Sequence, residues 1–304
     1  MKALERVLQA TGSPIKTDTS FRQLTTFRIG GPIALLAEPE TDEQLQSLLV
    51  VSKDTEIPPL VLGNGSNILA TDASYQGLVV KLGGSFRDFR FEGDRVSCGA
   101  GVLLSRLALA SCKQGLSGLE ELAGIPATLG GAICMNAGCE GREIGSLVEA
   151  VQGFTRTGSH KTWSREELDW GYRTSSFQNP SEGTVLTRMV LRLVSSSSQA
   201  LLERRLEILR LRRRKFPLSR FSAGCFFRGT EKGPAGALLD QAGMKGAREG
   251  DAEISSLHAN FIVNRKQATS DQVLRLADRA ARSVKERFDV VLSSEVRVLR
   301  SVQL

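Results

Sequence analysis

The chain has 304 residues, a length typical of about two domains, and its hydrophobic content of 41% is ordinary for a globular protein. The formal net charge of +7 favours anionic partners. No run of about 18 apolar residues occurs and residues 1–11 lack the apolar stretch of a secretory signal, so we expect a cytoplasmic protein without a membrane partner. The five cysteines form no C-x-x-C pair and only two histidines are present, which argues against a disulfide framework and against a metal site.

The N-terminal part of the chain predicts a small β-α-β unit. Residues 1–20 indicate a short helix and a polar connector, and Phe21–Pro32 indicates an extended segment broken by Gly-Gly-Pro. A capping-box pattern beginning at Thr41 predicts a helix to about Lys53. A short apolar strand then leads into a glycine loop at Gly63.

The central part predicts a β-meander, a helix and a second glycine loop. The helix covers Leu103–Gln114, is stopped by Gly115, and precedes the loop Leu122–Gly138. Short β-like runs lie on both sides of them. These runs are Leu78–Leu82, Phe86–Phe91, Arg95–Cys98, Val148–Thr157 and Thr184–Val194.

The C-terminal part begins at Ser195–Ser198, four serines that we interpret as a linker and a domain boundary. The basic segment Gln199–Phe216 follows. Its final arginines complement a helix dipole and the chain has few rings for base stacking, so a solvated helix is favoured over a nucleic-acid interface, which stays the alternative. The remaining predicted elements are a small helix at Gly233–Ala242, a strand at His258–Asn264, a helix capped by Ser270 that ends near Phe288, and a last strand at Val290–Leu299.

The two glycine loops carry the clearest chemical signal. The first is Gly63–Asn67 and the second is Leu122–Gly138. Glycine permits positive φ and lacks a Cβ, so backbone N–H groups can converge on an anion such as a pyrophosphate. Neither loop matches a Rossmann or Walker pattern, and either loop alone could simply reverse the chain. Together they favour a phosphate-bearing ligand in a less common fold.

Eight motifs in one order resemble the UDP-N-acetylenolpyruvoylglucosamine reductase (MurB) family of peptidoglycan synthesis, over about residues 21–300. The motifs are Thr25–Gly31, Gly63–Asn67, Gly124–Gly138, Tyr172-Arg173, Lys215-Phe216-Pro217, Ser222–Phe227, His258–Asn264 and Leu292–Val298.

The resemblance implies an α+β protein with an FAD-binding fold of the vanillyl-alcohol-oxidase (PCMH) type in two subdomains and a C-terminal α/β substrate-binding domain. It implies an N-terminal connector at 1–20, an FAD-binding domain at 21–196 (subdomains of about 21–70 and 71–196) and a substrate domain at 197–304, whose last strand at 290–300 returns to the active site. FAD would be bound non-covalently, NADPH would be the reductant, a UDP-sugar the substrate, and the protein a monomer. The implied cofactor-binding residues are Gly63, Asn64, Gly65, Ser66, Asn67, Gly124, Ile125, Pro126, Ala127, Thr128, Gly130, Gly131, Asn136, Ala137 and Gly138.

The resemblance also implies roles for individual side chains. Hydride addition to C3 of an enolpyruvyl group creates an enolate, which Arg173 would stabilise through charge-assisted hydrogen bonds. Cys225 would protonate C2, with Glu295 assisting. A free thiol has a pKa near 8.5 and is therefore mostly protonated at neutral pH. The implied substrate contacts are Tyr172, Lys215 and His258, although a structurally hydrogen-bonded His258 is an equal alternative.

Several positions depart from the family pattern. Cys225 stands where serine is usual, Gly229 stands where some relatives have asparagine, and the tyrosine-bearing insertion after Thr184–Val194 is missing. The chain therefore resembles the shorter variety of the family. An oxidase with the same flavin fold and an inactive flavin- or nucleotide-sugar-binding regulator are the alternative functions.

Overall fold

The computed structural model describes residues 9, 11–55, 57, 59–178 and 183–300, so most of the helix predicted near the N-terminus lies outside the described residues. Within these ranges the α-helices are α1 (Phe21–Leu24), α2 (Asp42–Asp54), α3 (Leu104–Lys113), α4 (Leu129–Cys134), α5 (Ser198–Lys215), α6 (Ala235–Gln241) and α7 (Ser270–Phe288). Short 3-10 helices cover Gly84–Arg87, Glu120–Leu122, Ile144–Leu147, Arg165–Glu167 and Ser176–Gln178.

The strands are short and numerous. They are β1 (Ile15–Lys16), β2 (Thr19–Ser20), β3 (Pro32–Ala37), β4 (Leu60–Val61), β5 (Ile68–Ala70), β6 (Tyr75–Val80), β7 (Phe89–Glu92), β8 (Arg95–Gly99), β9 (Leu116–Ser117), β10 (Gly138–Cys139), β11 (Arg142–Glu143), β12 (Val148–Phe154), β13 (His160–Ser164), β14 (Trp170–Gly171), β15 (Thr174–Ser175), β16 (Val185–Arg192), β17 (Val194–Ser195), β18 (Phe221–Cys225), β19 (Arg248–Glu249), β20 (Ala252–Ile254), β21 (Phe261–Asn264) and β22 (Arg297–Leu299).

Residue contacts divide the chain into two compact units, each assembled from separate segments. The first unit comprises the described residues up to Thr17, Leu35–Asn64 and Gly77–Arg210. The second comprises Asp18–Ala34, Gly65–Gln76 and the described residues from Leu211 onward. The first glycine loop therefore passes from one unit to the other after Asn64.

The first unit contains a five-stranded sheet in the order β13-β12-β16-β8-β7, in which each neighbouring pair is antiparallel. Strands β3, β6 and β4 contribute to a second sheet, where β4 runs parallel to β6. Helix α3 buries Leu104, Leu107, Ala108 and Cys112, a spacing that places them on one helical face. Leu104, Leu107 and Ala108 join the large apolar core of this unit.

The second unit contains the sheet β18-β21-β20-β19 and the long helix α7, which buries Val273, Leu276, Ala277, Ala280 and Val284. This spacing also forms one apolar face, and its side chains belong to the apolar core of this unit. Near the C-terminus, β22 pairs in parallel with β5. None of the helices in the described ranges combines the length and apolar content that a membrane span requires.

Local sequence signals locate several element boundaries correctly. Thr41 accepts a hydrogen bond from the backbone N–H of Gln44 at the start of α2, as the capping pattern predicts. Gly115 adopts a φ of +68° directly after α3, where a left-handed residue ends a helix. The predictions of both helices are confirmed.

Other predicted elements are wrong in detail. Phe21 begins a short helix instead of an extended segment, because Gln23 accepts a hydrogen bond from the backbone N–H of Ser20. Phe86 lies in a 3-10 helix, and β22 covers only Arg297–Leu299 of the predicted last strand.

Two further corrections arise from tertiary hydrogen bonds. The cap of α7 is Thr269, since the Ser270 hydroxyl donates to Asp72 instead. The predicted serine linker is hydrogen-bonded structure: Ser195 pairs with Leu116 in the β17–β9 ladder, and the next residue donates its N–H to the Gly115 carbonyl.

Candidate active site

The two glycine loops meet in the first unit. The Asn64 side-chain amide donates a hydrogen bond to the Pro126 carbonyl over 2.7 Å. A Cβ added at Gly63 would clash with the Thr128 hydroxyl, so glycine is required for this close approach. The loop contact therefore depends on the small residues that the sequence singled out.

Lys81 supports this junction and was not predicted from the sequence. Its ammonium group donates to the Gly63 carbonyl over 3.1 Å. Burial lowers the pKa of the Lys81 ammonium, and the nearby charge of Arg87 lowers it further. The only sequence signal is a lysine directly after the apolar strand β6, which is too common a feature to identify a site.

The second loop is held against neighbouring backbone. Gly130 donates its N–H to the Ala100 carbonyl over 2.9 Å, and Leu129 donates to Val102 over 2.8 Å. A Cβ at Gly130 would lie 3.0 Å from the Ala100 Cβ. Gly124, Gly130 and Gly131 are half-buried, so part of their backbone stays accessible. Accessible backbone on convergent, small-residue loops fits a diphosphate-bearing cofactor such as FAD.

Asn136 lies at the end of this loop and is fully buried, with a φ of +40°. Its side-chain amide donates to Glu143 Oε2 over 2.8 Å and to the Gly171 carbonyl over 2.9 Å. Its side-chain oxygen accepts the Gly145 N–H over 3.0 Å. Both donors of the side chain are therefore used within the protein.

Arg173 and Tyr172 form the two-residue turn of the β14–β15 hairpin. Arg173 donates through Nη2 to the Gly138 carbonyl over 3.1 Å, and its guanidinium lies 5.1 Å from the centre of the Tyr172 ring. Tyr172 is 59% exposed. The first unit thus brings the predicted arginine to the end of the second glycine loop.

Cys225 and Glu295 lie on neighbouring segments of the second unit. Cys225 ends β18 after a register shift relative to β21 and follows Gly224, which has a φ of +80°. The next carbonyl, of Phe226, accepts the backbone N–H of Glu295 over 2.8 Å. A bulged strand commonly re-aims a side chain, and here the irregularity precedes the predicted proton donor.

The second half of the first glycine loop is hydrogen-bonded to the segments that carry Cys225 and Glu295. The Asn67 side chain donates to the Glu295 carbonyl, and the Gly65 carbonyl accepts the Thr26 N–H over 3.3 Å. Thr26 in turn donates its hydroxyl to the Ser222 carbonyl over 2.7 Å. Ser66, between Gly65 and Asn67, is half-buried. The structure thus brings Asn67, Cys225 and Glu295 onto connected segments.

His258 packs beside two aromatic rings, with centroid distances of 5.0 Å to Phe216 and 5.3 Å to Phe261. Its Nδ1 accepts the backbone N–H of Asn260 over 3.3 Å, so a proton on the neutral ring lies on Nε2. Burial lowers the pKa of His258, and the charge of Lys245 lowers it further. Lys215 is exposed and directly precedes Phe216 in the sequence.

Family models match both parts of the chain. The model "FAD binding domain" matches residues 33–163, and the model "UDP-N-acetylenolpyruvoylglucosamine reductase, C-terminal domain" matches residues 216–299. The chain therefore carries an FAD-binding domain, and the predicted α+β flavoprotein fold is confirmed.

Relatives that match over most of their length belong to the same reductase family as the C-terminal family model. A UDP-N-acetylenolpyruvoylglucosamine reductase of Clostridium tetani is 35% identical over 297 residues, which cover 97% of this chain and 96% of that protein. One of Heliobacterium modesticaldum is 40% identical, with coverage of 90% and 87%. The crystal structure of UDP-N-acetylenolpyruvylglucosamine reductase (MurB) from Thermus caldophilus is similar with a TM-score of 0.81 and 39% identity, covering 94% of this chain and 99% of that one.

Proposed function

The chain belongs to the UDP-N-acetylenolpyruvoylglucosamine reductase family, and on this premise we propose that it reduces the enolpyruvyl ether of UDP-N-acetylglucosamine to UDP-N-acetylmuramate with FAD and NADPH. The observation that carries the proposal is the backbone hydrogen bond between Phe226 and Glu295. It joins the segment that carries the Cys225 thiol to the segment that carries the Glu295 carboxylate. The Asn67 side chain connects the Glu295 segment to the first glycine loop.

The glycine loops would hold FAD. Gly63 and Asn64 meet the second loop at Pro126 and Thr128, and residues 136–138 would contribute backbone because the Asn136 side chain is engaged elsewhere. Lys81 would add a positive charge beside the Gly63 carbonyl, which favours a cofactor with a diphosphate. When bound, FAD accepts hydride from NADPH and supplies it to the substrate.

The side chains of the protein would manage the charge and the proton of the reaction. As hydride adds to C3, negative charge grows on the carboxylate side, where the guanidinium of Arg173 would stabilise it. Cys225 would then deliver its thiol proton to C2, with Glu295 assisting that transfer. We propose Tyr172, Lys215 and His258 as substrate contacts, with the lysine as a point charge for the diphosphate.

We further propose the domain assignment made from the sequence, with FAD bound by residues 21–196 and the UDP-sugar by residues 197–304. NADPH as the reductant and the monomeric state stay predictions that the resemblance supports, and the cytoplasmic location stays a prediction from the apolar pattern of the sequence.

The deciding experiment is anaerobic stopped-flow at the flavin absorption band. NADPH should bleach the purified holoprotein, and the enolpyruvyl UDP-sugar should then restore the absorption rapidly. Absorption that returns only when oxygen is admitted would contradict the reductase and favour an oxidase of the same fold. A purified protein that stays free of flavin after reconstitution would contradict both enzymes.

The role of Cys225 has its own test in the same assay. Cys225→Ala should keep flavin reduction by NADPH and slow reoxidation by about 10²–10⁴-fold, the usual contribution of a proton donor. Cys225→Ser should retain partial activity. Cys112→Ala removes a buried thiol from the face of α3 and should change neither half-reaction rate. Equal losses in both half-reactions of Cys225→Ala would contradict the assigned role.

A further inference from the structure

Arg173 occupies a backbone conformation that needs external support. Its φ is +57°, in the left-handed region that residues other than glycine, asparagine and aspartate seldom adopt. Such a residue persists only where its surroundings hold it in place. Arg173 and Tyr172 form the turn between Gly171 and Thr174, which are paired with each other.

Gln178 supplies part of that support. Its side-chain amide donates to the Arg173 carbonyl over 2.8 Å and to the Cys134 carbonyl over 2.9 Å. Cys134 is the last residue of α4, and the final carbonyls of a helix lack partners within the helix. The Ser175 hydroxyl donates to the same carbonyl over 2.9 Å. One glutamine thus joins the arginine backbone to the second glycine loop.

Asn136 acts on the other strand of the same hairpin. It is buried, and it donates to the Gly171 carbonyl while also binding Glu143 and Gly145. Gly171 pairs with Thr174 in the hairpin, so its carbonyl lies two residues before Arg173. The hairpin is therefore tied to the loop on both sides of its turn.

We infer that Gln178 and Asn136 are positioning residues for Arg173, locking its hairpin to the glycine loop that would hold the flavin. The inference rests on the proposed function, since it takes Arg173 as the group that stabilises the enolate. A displacement of about 1 Å of a reacting or stabilising group can cost about 10²-fold in rate. Loss of either amide should therefore slow the substrate half-reaction, and loss of the Gln178 amide should spare the reduction of flavin by NADPH.

The test is a double-mutant cycle read in the two half-reactions. Gln178→Ala and the nearly isosteric Gln178→Glu should each keep bound flavin and its reduction rate, and each should slow reoxidation by the enolpyruvyl UDP-sugar about 10–100-fold. In an Arg173→Ala background, Gln178→Ala should cause no further slowing, because a residue that acts through Arg173 has nothing left to position. Asn136→Ala is judged by reoxidation alone, because Asn136 also lies in the proposed cofactor-binding loop. Where it folds it should slow reoxidation, and where it does not fold Gln178→Ala still tests the inference.

Gln46→Ala is the matched control. Gln46 also lies in the first unit, and its side-chain amide donates to the Gly158 carbonyl over 2.9 Å. The variant therefore removes a comparable glutamine hydrogen bond whose acceptor is neither Arg173 nor a residue of the glycine loops. It should leave both half-reactions unchanged. Reoxidation by Gln178→Ala at the rate of Gln46→Ala, or a further loss of the same size in the Arg173→Ala background, would overturn the inference. A wild-type protein that the substrate does not reoxidise would instead contradict the proposed function.

Discussion

The side-chain amide of Asn67 donates a hydrogen bond to the backbone carbonyl of Glu295 over 3.1 Å, joining two residues that are 228 positions apart. The bond is reciprocated two residues later, because Arg297 donates its N–H to the Asn67 carbonyl over 3.0 Å. Strand β22 then continues in parallel with β5, with Arg297 opposite Ile68. The first glycine loop therefore determines where the segment that carries the proposed catalytic carboxylate lies.

Asn67→Ala should slow flavin reoxidation more than it slows flavin reduction by NADPH, because Glu295 loses one of the two bonds that hold its backbone. One lost hydrogen bond should also lower the free energy of unfolding by about 1 kcal/mol, measurable by urea denaturation. Asn264→Ala is the control, since Asn264 likewise donates a long-range side-chain bond in the second unit, to the Phe27 carbonyl. Equal reoxidation rates in the two variants would contradict the proposed role of the Asn67–Glu295 bond.

Gly63→Ala should weaken FAD binding because the added Cβ clashes with the Thr128 hydroxyl. Replacing that hydroxyl as well, in Gly63→Ala/Thr128→Ala, leaves the Thr128 Cβ position at 3.5 Å, an ordinary contact, so the double variant should regain affinity. Fluorescence titration of the apoprotein with FAD measures both. A double variant that binds no better than Gly63→Ala would show that the clash is not the cause.

Lys81→Met should reduce FAD affinity by about tenfold, a loss of about 1.4 kcal/mol, because a cation beside a diphosphate favours its binding. The variant removes the bond to the Gly63 carbonyl and a cation beside the proposed diphosphate loop. Lys16→Met is the control, since Lys16 carries the same charge in the same unit and forms an ion pair with Glu38. Flavin titration giving equal affinities for both variants would exclude the Lys81 contribution.

His258 should make stability fall as the pH falls below about 6.5, the ordinary pKa of histidine. Burial and Lys245 lower its pKa in the folded state, so between the folded and unfolded pKa values the unfolded chain binds more protons. Stability therefore rises with pH across this window and is lost as the pH decreases through the folded pKa. Asp240 opposes the shift without reversing its direction.

The chain offers a matched control for this effect because it has only two histidines. His160 is exposed. Replacing His258 by Gln should flatten the dependence of the unfolding free energy on pH between about 5 and 7, a window around the ordinary histidine pKa, whereas His160→Gln should leave it unchanged. Urea denaturation at several pH values measures the slope. A slope that disappears only in His160→Gln would contradict the assignment.

Local patterns were sufficient where one residue determines the backbone of its neighbours. Thr41 caps α2 and Gly115 ends α3 as predicted, because both act through hydrogen bonds or dihedral angles within a few residues. The same reasoning was misled at Ser270, whose hydroxyl binds Asp72. The Asp72 carboxylate takes the hydroxyl that would otherwise cap the helix. It is 198 residues away in the sequence, so a local pattern does not reveal it.

The residues of the candidate site likewise fall into those that the sequence indicated and those that only the structure revealed. The glycine loops were evident from the sequence composition, whereas the family and the candidates Arg173, Cys225 and Glu295 came from the resemblance of eight ordered motifs to a known family. Only the tertiary structure showed that Lys81 binds Gly63, that Asn136 and Gln178 hold the Arg173 hairpin, and that Asn67 holds Glu295. The physical reason is that a glycine reports its own backbone requirement, whereas a polar side chain chooses among partners that only folding brings within hydrogen-bond distance.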